Sequence, residues 1–339
     1  MSRNRLEIGS EFWFEDDLPQ AVSDRDGIYA LSGRTAIDLI IQDILKTRKI
    51  RNVYMPAWCC DSMLAPFLAH GIHIDFYDVR PKCHTDYTDC TDIFYVTNYF
   101  GYENTLNTDI IRQFKAKGSF ILYDKTHSFL MDYDPFLALA DYSFASIRKW
   151  MGVMGGAVVE RVKSKVLKPC PYLAPKEKAM RIKQAYMVGD DSVDKQEFLR
   201  LYGEFGHHLA EDYCDYAMDD LSYAIYKTAD ISTMKARRRE NANYLHEHLN
   251  LRFLSPLTEN ACPLFVPVLF DTKEERDRVR KKLIEAEIYC PIHWPKPALI
   301  PADFEVNKIY DTELSLICDQ RYSLVDMQRI VDVIVHAVK

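Results

Sequence analysis

Lys149 closes the stretch Asp141-Tyr-Ser-Phe-Ala-Ser-Ile-Arg-Lys149-Trp-Met-Gly-Val-Met-Gly-Gly-Ala-Val-Val159. Two strand-like runs, Tyr142–Ile147 and Gly156–Val159, bracket a short turn with the lysine at its mouth. An apolar strand before it and Gly152-x-x-Gly155-Gly156 after it are poor surroundings for a solvated lysine. Upstream, Asp124 ends a second apolar strand, Phe120-Ile-Leu-Tyr-Asp124. An amine and a carboxylate at strand ends of one sheet suit an aldehyde cofactor with a basic ring nitrogen. The amine forms a Schiff base and the acid keeps the ring nitrogen protonated, which is the pair that pyridoxal 5'-phosphate (PLP) needs.

Other residues supply further parts of such a site. Ser32-Gly33-Arg34-Thr35-Ala36 lies at a predicted helix N-terminus, where Gly33 permits close approach. First-turn N–H groups there favour an anion such as a phosphate ester. The same residues also suit plain N-capping by Ser32 or Thr35. His127, in Asp124-Lys125-Thr126-His127, would pack on the ring face or bond its phenolic oxygen, or act as an ordinary structural hydrogen-bonder. Trp58 follows a strand and opens a helix, where an indole would stack on a planar cofactor or fill the core. Ser143 and Ser146 flank the strand end that carries Lys149 and would add hydroxyls to a phosphate, or satisfy backbone groups.

The elements that must position these residues alternate through the first half. Helical spacing over Ala36–Lys46 is followed by a strand at Val53–Met55, a helix at Cys59–His70 and a strand at Ile72–Val79. Ile93–Tyr99 (strand), Thr108–Lys117 (helix) and Phe120–Tyr123 (strand) continue the pattern. Such alternation predicts an α/β fold, a mostly parallel central sheet with helices on both faces. Ligands on such sheets bind beyond the carboxyl ends of the strands.

Residues 160–235 are polar and helical, a substrate or dimer segment, and complete a large domain over 1–235. A small C-terminal α+β domain over 236–339 follows. It has helices at Ala236–Leu249, Lys273–Ala286 and from Ser323 to about Val338, with strands at Leu264–Phe270 and Leu314–Cys318. Thr272-x-x-Glu275 reads as a capping box.

The 339 residues, 48% hydrophobic and 27% charged, are those of an ordinary globular chain. A net charge of −7 argues against nucleic acid, and the basic run Arg237-Arg238-Arg239 reads as a solvated helix face. There is no apolar run of the roughly 20 residues that span a bilayer, and no signal-peptide pattern. Nine cysteines without a C-x-x-C pair fit reduced thiols and no metal site. These features predict a cytoplasmic protein with small-molecule partners. No G-x-G-x-x-G or G-x-x-x-x-G-K-[ST] stands in the chain, which disfavours a Rossmann dehydrogenase or a P-loop enzyme.

In this order the segments resemble the DegT/StrS family of sugar aminotransferases, which are fold-type-I PLP enzymes. Ser-Gly-Arg-Thr-Ala at 32–36 is similar to the family's phosphate-cradling S-G-T-A segment, and Val53–Ala69 to its strand–Pro–aromatic–helix block. Asp124 and His127 match D-x-x-[QH], and Lys149 before Gly-Gly-Ala-Val-Val matches the Schiff-base lysine. Residues 237–244 are similar to its R-R-x-x-A-x-x-Y helix, and Cys290-Pro-Ile-His293 to its P-x-H turn. The resemblance implies the family's fold, PLP dependence and a homodimer. It also implies transfer of an amino group, from a donor such as glutamate, to a keto-sugar, most often nucleotide-linked. Other fold-type-I chemistry (an amino-acid transaminase, aldolase or lyase) and a non-catalytic nucleotide-sugar binder remain open on the same fold.

Two positions depart from the family pattern. Phe144 stands where the family has Ser five residues before its lysine, and Asp215 where its N-Y-R-M-S-D-L segment has Asn. An Asp beside a phosphate would repel it unless turned away.

Overall fold

The computed structural model describes residues 5–15, 17–79, 91–103, 106, 108–163 and 165–338. Cys83 and Cys90 lie outside them, as do the first four residues of the sequence.

In chain order the elements begin with β1 (Ile8–Gly9), β2 (Ile28–Ala30), α1 (Gly33–Leu45), β3 (Asn52–Pro56), α2 (Asp61–Ala69), β4 (His73–Tyr77) and β5 (Ile93–Thr97). Then come α3 (Thr108–Ala116), β6 (Phe120–Asp124), β7 (Tyr142–Ser146), a 3-10 turn (Ile147–Lys149), β8 (Ala157–Glu160), α4 (Leu173–Met187), α5 (Lys195–Glu211) and α6 (Asp220–Thr228). The rest are α7 (Ile231–His248), β9 (Arg252–Phe253), β10 (Val266–Leu269), α8 (Lys273–Glu285), β11 (Ile288–Tyr289), α9 (Val306–Thr312), β12 (Glu313–Leu316) and α10 (Leu324–Val338).

The central sheet has seven strands in the order β2-β8-β7-β6-β5-β3-β4. β3 pairs in parallel with β4 and with β5, and β5 in parallel with β6. β2 and β8 at the far edge are antiparallel. The mostly parallel α/β sheet predicted from the alternation is therefore present. Its strands follow the physics of a doubly covered sheet: every residue of β5 is buried, so the sequence there reads as a continuous apolar run.

The chain forms two compact units, each discontinuous in sequence. The first comprises the described residues through Glu7, Glu11–Lys49 and Phe144–Ala229. There α1 begins at the Ser32 cap, whose Oγ accepts from the Thr35 N–H at 3.2 Å. Substitution of such a cap by alanine costs about 1 kcal/mol. The described residues of the 160–235 stretch hold α4, α5, α6 and the start of α7, in keeping with its polar, helical pattern, together with two bridges the sequence does not announce, Lys168 to Tyr216 and Ala217 to Ala30.

The second unit comprises Ile8–Ser10, the described part of Ile50–Ser143, and the chain from Asp230 onward. A three-stranded antiparallel sheet, β12-β10-β9, packs its buried residues with those of α7, α8 and α10, including Val266, Leu314 and Ile330. β1 joins this unit by pairing in parallel with β11, Ile8 opposite Ile288. The Gly9 N–H donates to the Tyr322 hydroxyl at 2.8 Å, and Ile8 is completely buried.

Two local readings are corrected. Arg237-Arg238-Arg239 is not simply a solvated face: Arg238 is fully buried and donates to Gln320 and to the carbonyls of Pro263 and Leu264. Arg239 donates to the carbonyls of Glu259 and Ala261. Loop carbonyls facing a helix need donors, and the long guanidinium fork supplies several at once. The capping box at Thr272 is also half built. Thr272 accepts from the Glu275 N–H, whereas the Glu275 carboxylate accepts from the Asp271 N–H, one residue early.

Candidate active site

In the first unit, the N-terminus of α1 sits against the end of β7. A Cβ placed on Gly33 would lie 3.4 Å from the Phe144 ring and 3.6 Å from Ser146 Cβ. Phe144 and Ser146 share a strand face by the two-residue alternation, and Ser143 lies on the opposite one. Ser146 is thus the hydroxyl beside Gly33, with the Phe144 ring next to it.

The first-turn N–H groups of α1 point toward the N-terminal end of the helix. Thr35 Oγ1 lies 2.9 Å from Ser32 Oγ, so its hydroxyl serves the cap. The Arg34 side chain donates to the Leu209 carbonyl and lies 5.4 Å over the Tyr213 ring.

Lys149, partly buried, is the last residue of the 3-10 turn at the carboxyl end of β7. Backbone bonds tie the turn down: Ile147 N–H to the Gly156 carbonyl at 2.9 Å and Trp150 N–H to the Ile147 carbonyl at 2.9 Å. The following glycines are required by close backbone approach. A Cβ at Gly152 would come within 2.3 Å of the Trp13 carbonyl oxygen, and one at Gly155 within 2.8 Å of that of Leu31. The Gly156 N–H in turn donates to the Leu31 carbonyl at 2.7 Å. The glycine run thus pins the lysine turn between two neighbouring backbones.

Asp215, at φ 61°, pairs with Lys165 at 3.0 Å and accepts from the Gln42 amide at 3.1 Å. Its charge is matched by a cation and an amide inside the first unit.

In the second unit, Asp124 ends β6 and is buried. Its Oδ2 accepts from the Tyr95 hydroxyl at 2.9 Å and its Oδ1 from the Thr126 N–H at 2.9 Å. Two donors aimed at two different oxygens fix the carboxylate plane. A carboxylate has about four acceptor positions, so this set is compatible with one further N–H donor such as a protonated pyridine nitrogen.

His127 is buried, and its Nδ1 accepts from the Phe100 N–H at 3.2 Å. In the neutral ring the proton then sits on Nε2, which becomes a donor. Its ring stacks on Trp294 with centroids 5.6 Å apart. Trp58 is almost fully buried; Tyr99 stacks on one face of its indole at 4.6 Å, and its N–H donates to the His293 carbonyl at 2.6 Å. Ser143 is completely buried.

The first unit therefore gathers Gly33, Arg34, Thr35, Ser146 and Lys149, and the second Asp124, His127 and Trp58. Sequence reading passed over Tyr95 and Trp294. The Tyr95 contact follows from the strand register: β5 and β6 pair with Thr97 opposite Asp124, so the tyrosine two residues earlier shares that face. His293, noted only as part of a turn, proves to be a buried hub whose backbone and ring both carry hydrogen bonds.

No protein-family model and no curated protein matches the sequence. Solved structures do resemble it. The aminotransferase TlmJ from Streptoalloteichus hindustanus is 17% identical with a TM-score of 0.65, the match covering 92% of this chain and 85% of that one. NtdA from Bacillus subtilis with bound cofactor PMP is 17% identical, TM-score 0.63, over 92% of this chain and 73% of that one. DesI in the presence of its TDP-sugar product is 16% identical, TM-score 0.64, over 93% and 81%. The fold of this chain is the fold of those aminotransferases. Among the described residues, no helix is long and apolar enough to cross a membrane.

Proposed function

We propose that this chain is a PLP-dependent aminotransferase of the DegT/StrS type, moving an amino group from an amino acid such as glutamate to a keto-sugar. The observation that carries the reading is the lysine at 149. It ends a pinned turn at the carboxyl end of β7, in a fold shared over 92% of the chain with an aminotransferase. The TDP-sugar product with which DesI was crystallised supports a nucleotide-linked acceptor.

The residues present fit the cofactor. A pyridinium ring needs a fixed carboxylate, and Asp124 is held by Tyr95 and Thr126. A phosphate needs N–H donors and a hydroxyl, and the Gly33 end of α1 with Ser146 beside it has both. Bound PLP would supply an electron sink for the carbanion formed when the donor loses its α-proton.

Lys149 would hold the cofactor's aldehyde carbon and, once exchanged for the donor amine, carry the proton at the substrate α-carbon as a neutral base. Asp124 would keep the ring nitrogen protonated. His127, with its proton on Nε2, would donate to an oxygen on the ring edge. Trp58 would close the ring side of the site through its neighbours Tyr99 and Trp294. The cytoplasm and a homodimer belong to the same proposal, as do Arg34 and Thr35 in the first turn of α1; Ser143, buried on the other face of β7 from Ser146, stays outside the phosphate end. A large domain over 1–235 and a small one from 236 complete it.

The test is direct. The purified protein incubated with PLP should absorb in the visible range, and borohydride should fix the label on the peptide containing Lys149. Lys149→Ala should lose both signals and all turnover of glutamate with a panel of nucleotide keto-sugars. Label on another lysine, or an active Lys149→Ala protein, would refute the assignment.

A further inference from the structure

β12 carries an acid where a strand buried on all sides would be expected to carry only apolar residues. Glu313 and Ser315 are both completely buried, and their i, i+2 spacing puts them on one face of the strand. Leu314 and Leu316, which alternate with them, belong to the apolar cluster on the other face. Both polar residues engage the turn at 291–293. The Ser315 N–H donates to the Pro291 carbonyl at 3.0 Å, and the His293 N–H donates to Glu313 Oε2 at 2.7 Å. The side chains then form a line, with Ser315 Oγ 2.5 Å from Glu313 Oε1 and 2.8 Å from His293 Nδ1. Arg276 of α8 acts on the acid through its charge, but its guanidinium donates to the backbone carbonyls of Glu313 and Tyr310 and to the Asp277 carboxylate.

We propose that Glu313, Ser315 and His293 form a proton relay in which Glu313 stores a proton and Ser315 passes it to His293. The relay fixes which nitrogen of His293 carries hydrogen. The hydrogen-bond directions allow two arrangements. With the acid protonated, Glu313 O–H donates to Ser315 Oγ, Ser315 O–H donates to His293 Nδ1, and the ring proton is on Nε2. When a proton leaves Nε2, Nδ1 takes the serine proton and the serine takes the one stored on Glu313. The result is a carboxylate, an intact hydroxyl and a ring protonated on Nδ1. One proton has been delivered at Nε2 and all atoms are accounted for. The Glu313–His293 backbone bond is the same in both arrangements, so no chain movement is needed.

Other groups around the relay leave it this freedom. Cys290, before the turn, is buried, and its thiol is raised to about 12 by desolvation, so it stays neutral. Arg280 of α8 donates to the Cys290 carbonyl at 3.4 Å. The Tyr310 hydroxyl of α9 is committed to Ala57 and Cys59. His127 stands 6.2 Å from the His293 ring, centroid to centroid, and its Nδ1 is occupied by Phe100. Burial raises the Glu313 carboxyl to about 8, against opposing pulls from the Ser315 and His293 hydrogen bonds and from Arg276. The stored proton is therefore exchangeable near neutrality. His293 is thus a positioned acid–base group beside His127 and Trp294. The relay stands whether or not the transamination reading does.

The protein labelled with 15N-histidine reports the ring tautomer in long-range proton–nitrogen spectra, and comparison with His293→Gln assigns one of the ten histidines. From pH 7 to 10, His293 should pass from the Nε2–H to the Nδ1–H form with a midpoint near 8. Glu313→Gln should hold the Nε2–H form throughout. Its amide oxygen must accept the His293 N–H, which leaves its NH2 to donate toward Ser315. Ser315→Ala should remove the transition near pH 8. The wild-type titration needs no variant and therefore decides even if a variant misfolds. A single His293 tautomer across the range, or an unchanged transition in a folded Glu313→Gln protein, would overturn the relay. The readout needs no cofactor, so a failed borohydride label and a failed relay are separate results.

Discussion

Replacing Glu313 by glutamine should change how stability depends on pH. The carboxyl is fully buried, and desolvation raises it from an ordinary 4.5 to about 8. In the unfolded chain the acid ionises above pH 4.5, while the folded chain keeps its proton until about pH 8. Between those values the unfolded state binds fewer protons, so wild-type stability falls as pH rises and levels off above about 8. Each pH unit of that interval costs about 1.4 kcal/mol, and the whole interval about 5 kcal/mol at most. That is a large share of the roughly 5–15 kcal/mol by which domains are stable.

Glutamine has the same shape, keeps both hydrogen bonds and does not ionise. Urea unfolding at pH 5, 6.5 and 8.5 should therefore show the wild type losing stability with pH relative to Glu313→Gln, with the curves converging at pH 5. Other titrating groups are common to both proteins and cancel in the difference. Parallel stability curves from pH 5 to 8.5 would show that burial does not hold the proton on Glu313.

Other outcomes follow from the same coordinates. Gly101, at φ +76°, has no room for a side chain, since a Cβ would come within 2.0 Å of the Cys262 carbonyl oxygen. Gly101→Ala should cost more than about 3 kcal/mol in denaturant titration, since strained backbone and overpacking add. Trp58→Phe leaves the His293 carbonyl without its 2.6 Å donor and should cost about 1–3 kcal/mol, read as a lowered Tm. Cys59, Cys262, Cys290 and Cys318 are buried, whereas Cys60 and Cys170 are half-buried and Cys214 is exposed, so among the described cysteines an alkylating agent should reach Cys60, Cys170 and Cys214 first in the native protein. Peptide mapping after a short exposure checks the order.

The central sheet was legible because its strands are buried on both sides and its helices repeat at 3.6 residues. Ile93–Thr97 and Phe120–Asp124 stand out as apolar runs, and α1 starts within three residues of its predicted position. Elements that depend on partners far along the chain left no such trace. β1, β9 and β11 have two residues each, too short for any periodicity, and owe their existence to strands or helices elsewhere. Arg238 was misread for the same reason: a run of three arginines looks solvated until the loop at 263–264 brings its carbonyls to the middle one. Of the proposed site residues, Gly33, Asp124 and Lys149 could be picked out because each stands where an element starts or stops. Tyr95 and Glu313 could not, because each acts from inside a strand toward a residue that only the strand pairing identifies.

The pairing of Ile8–Gly9 with Ile288–Tyr289 also governs how the second unit is born. Its β-ladder joins segments some 280 residues apart, and Gly9 is further clasped by Tyr322, just ahead of α10. During synthesis the early segment meets these partners only after residues 288–289 and 322 have been made. Closing so long a loop is slow, so this ladder should be among the last contacts of the second unit to form when the denatured chain refolds.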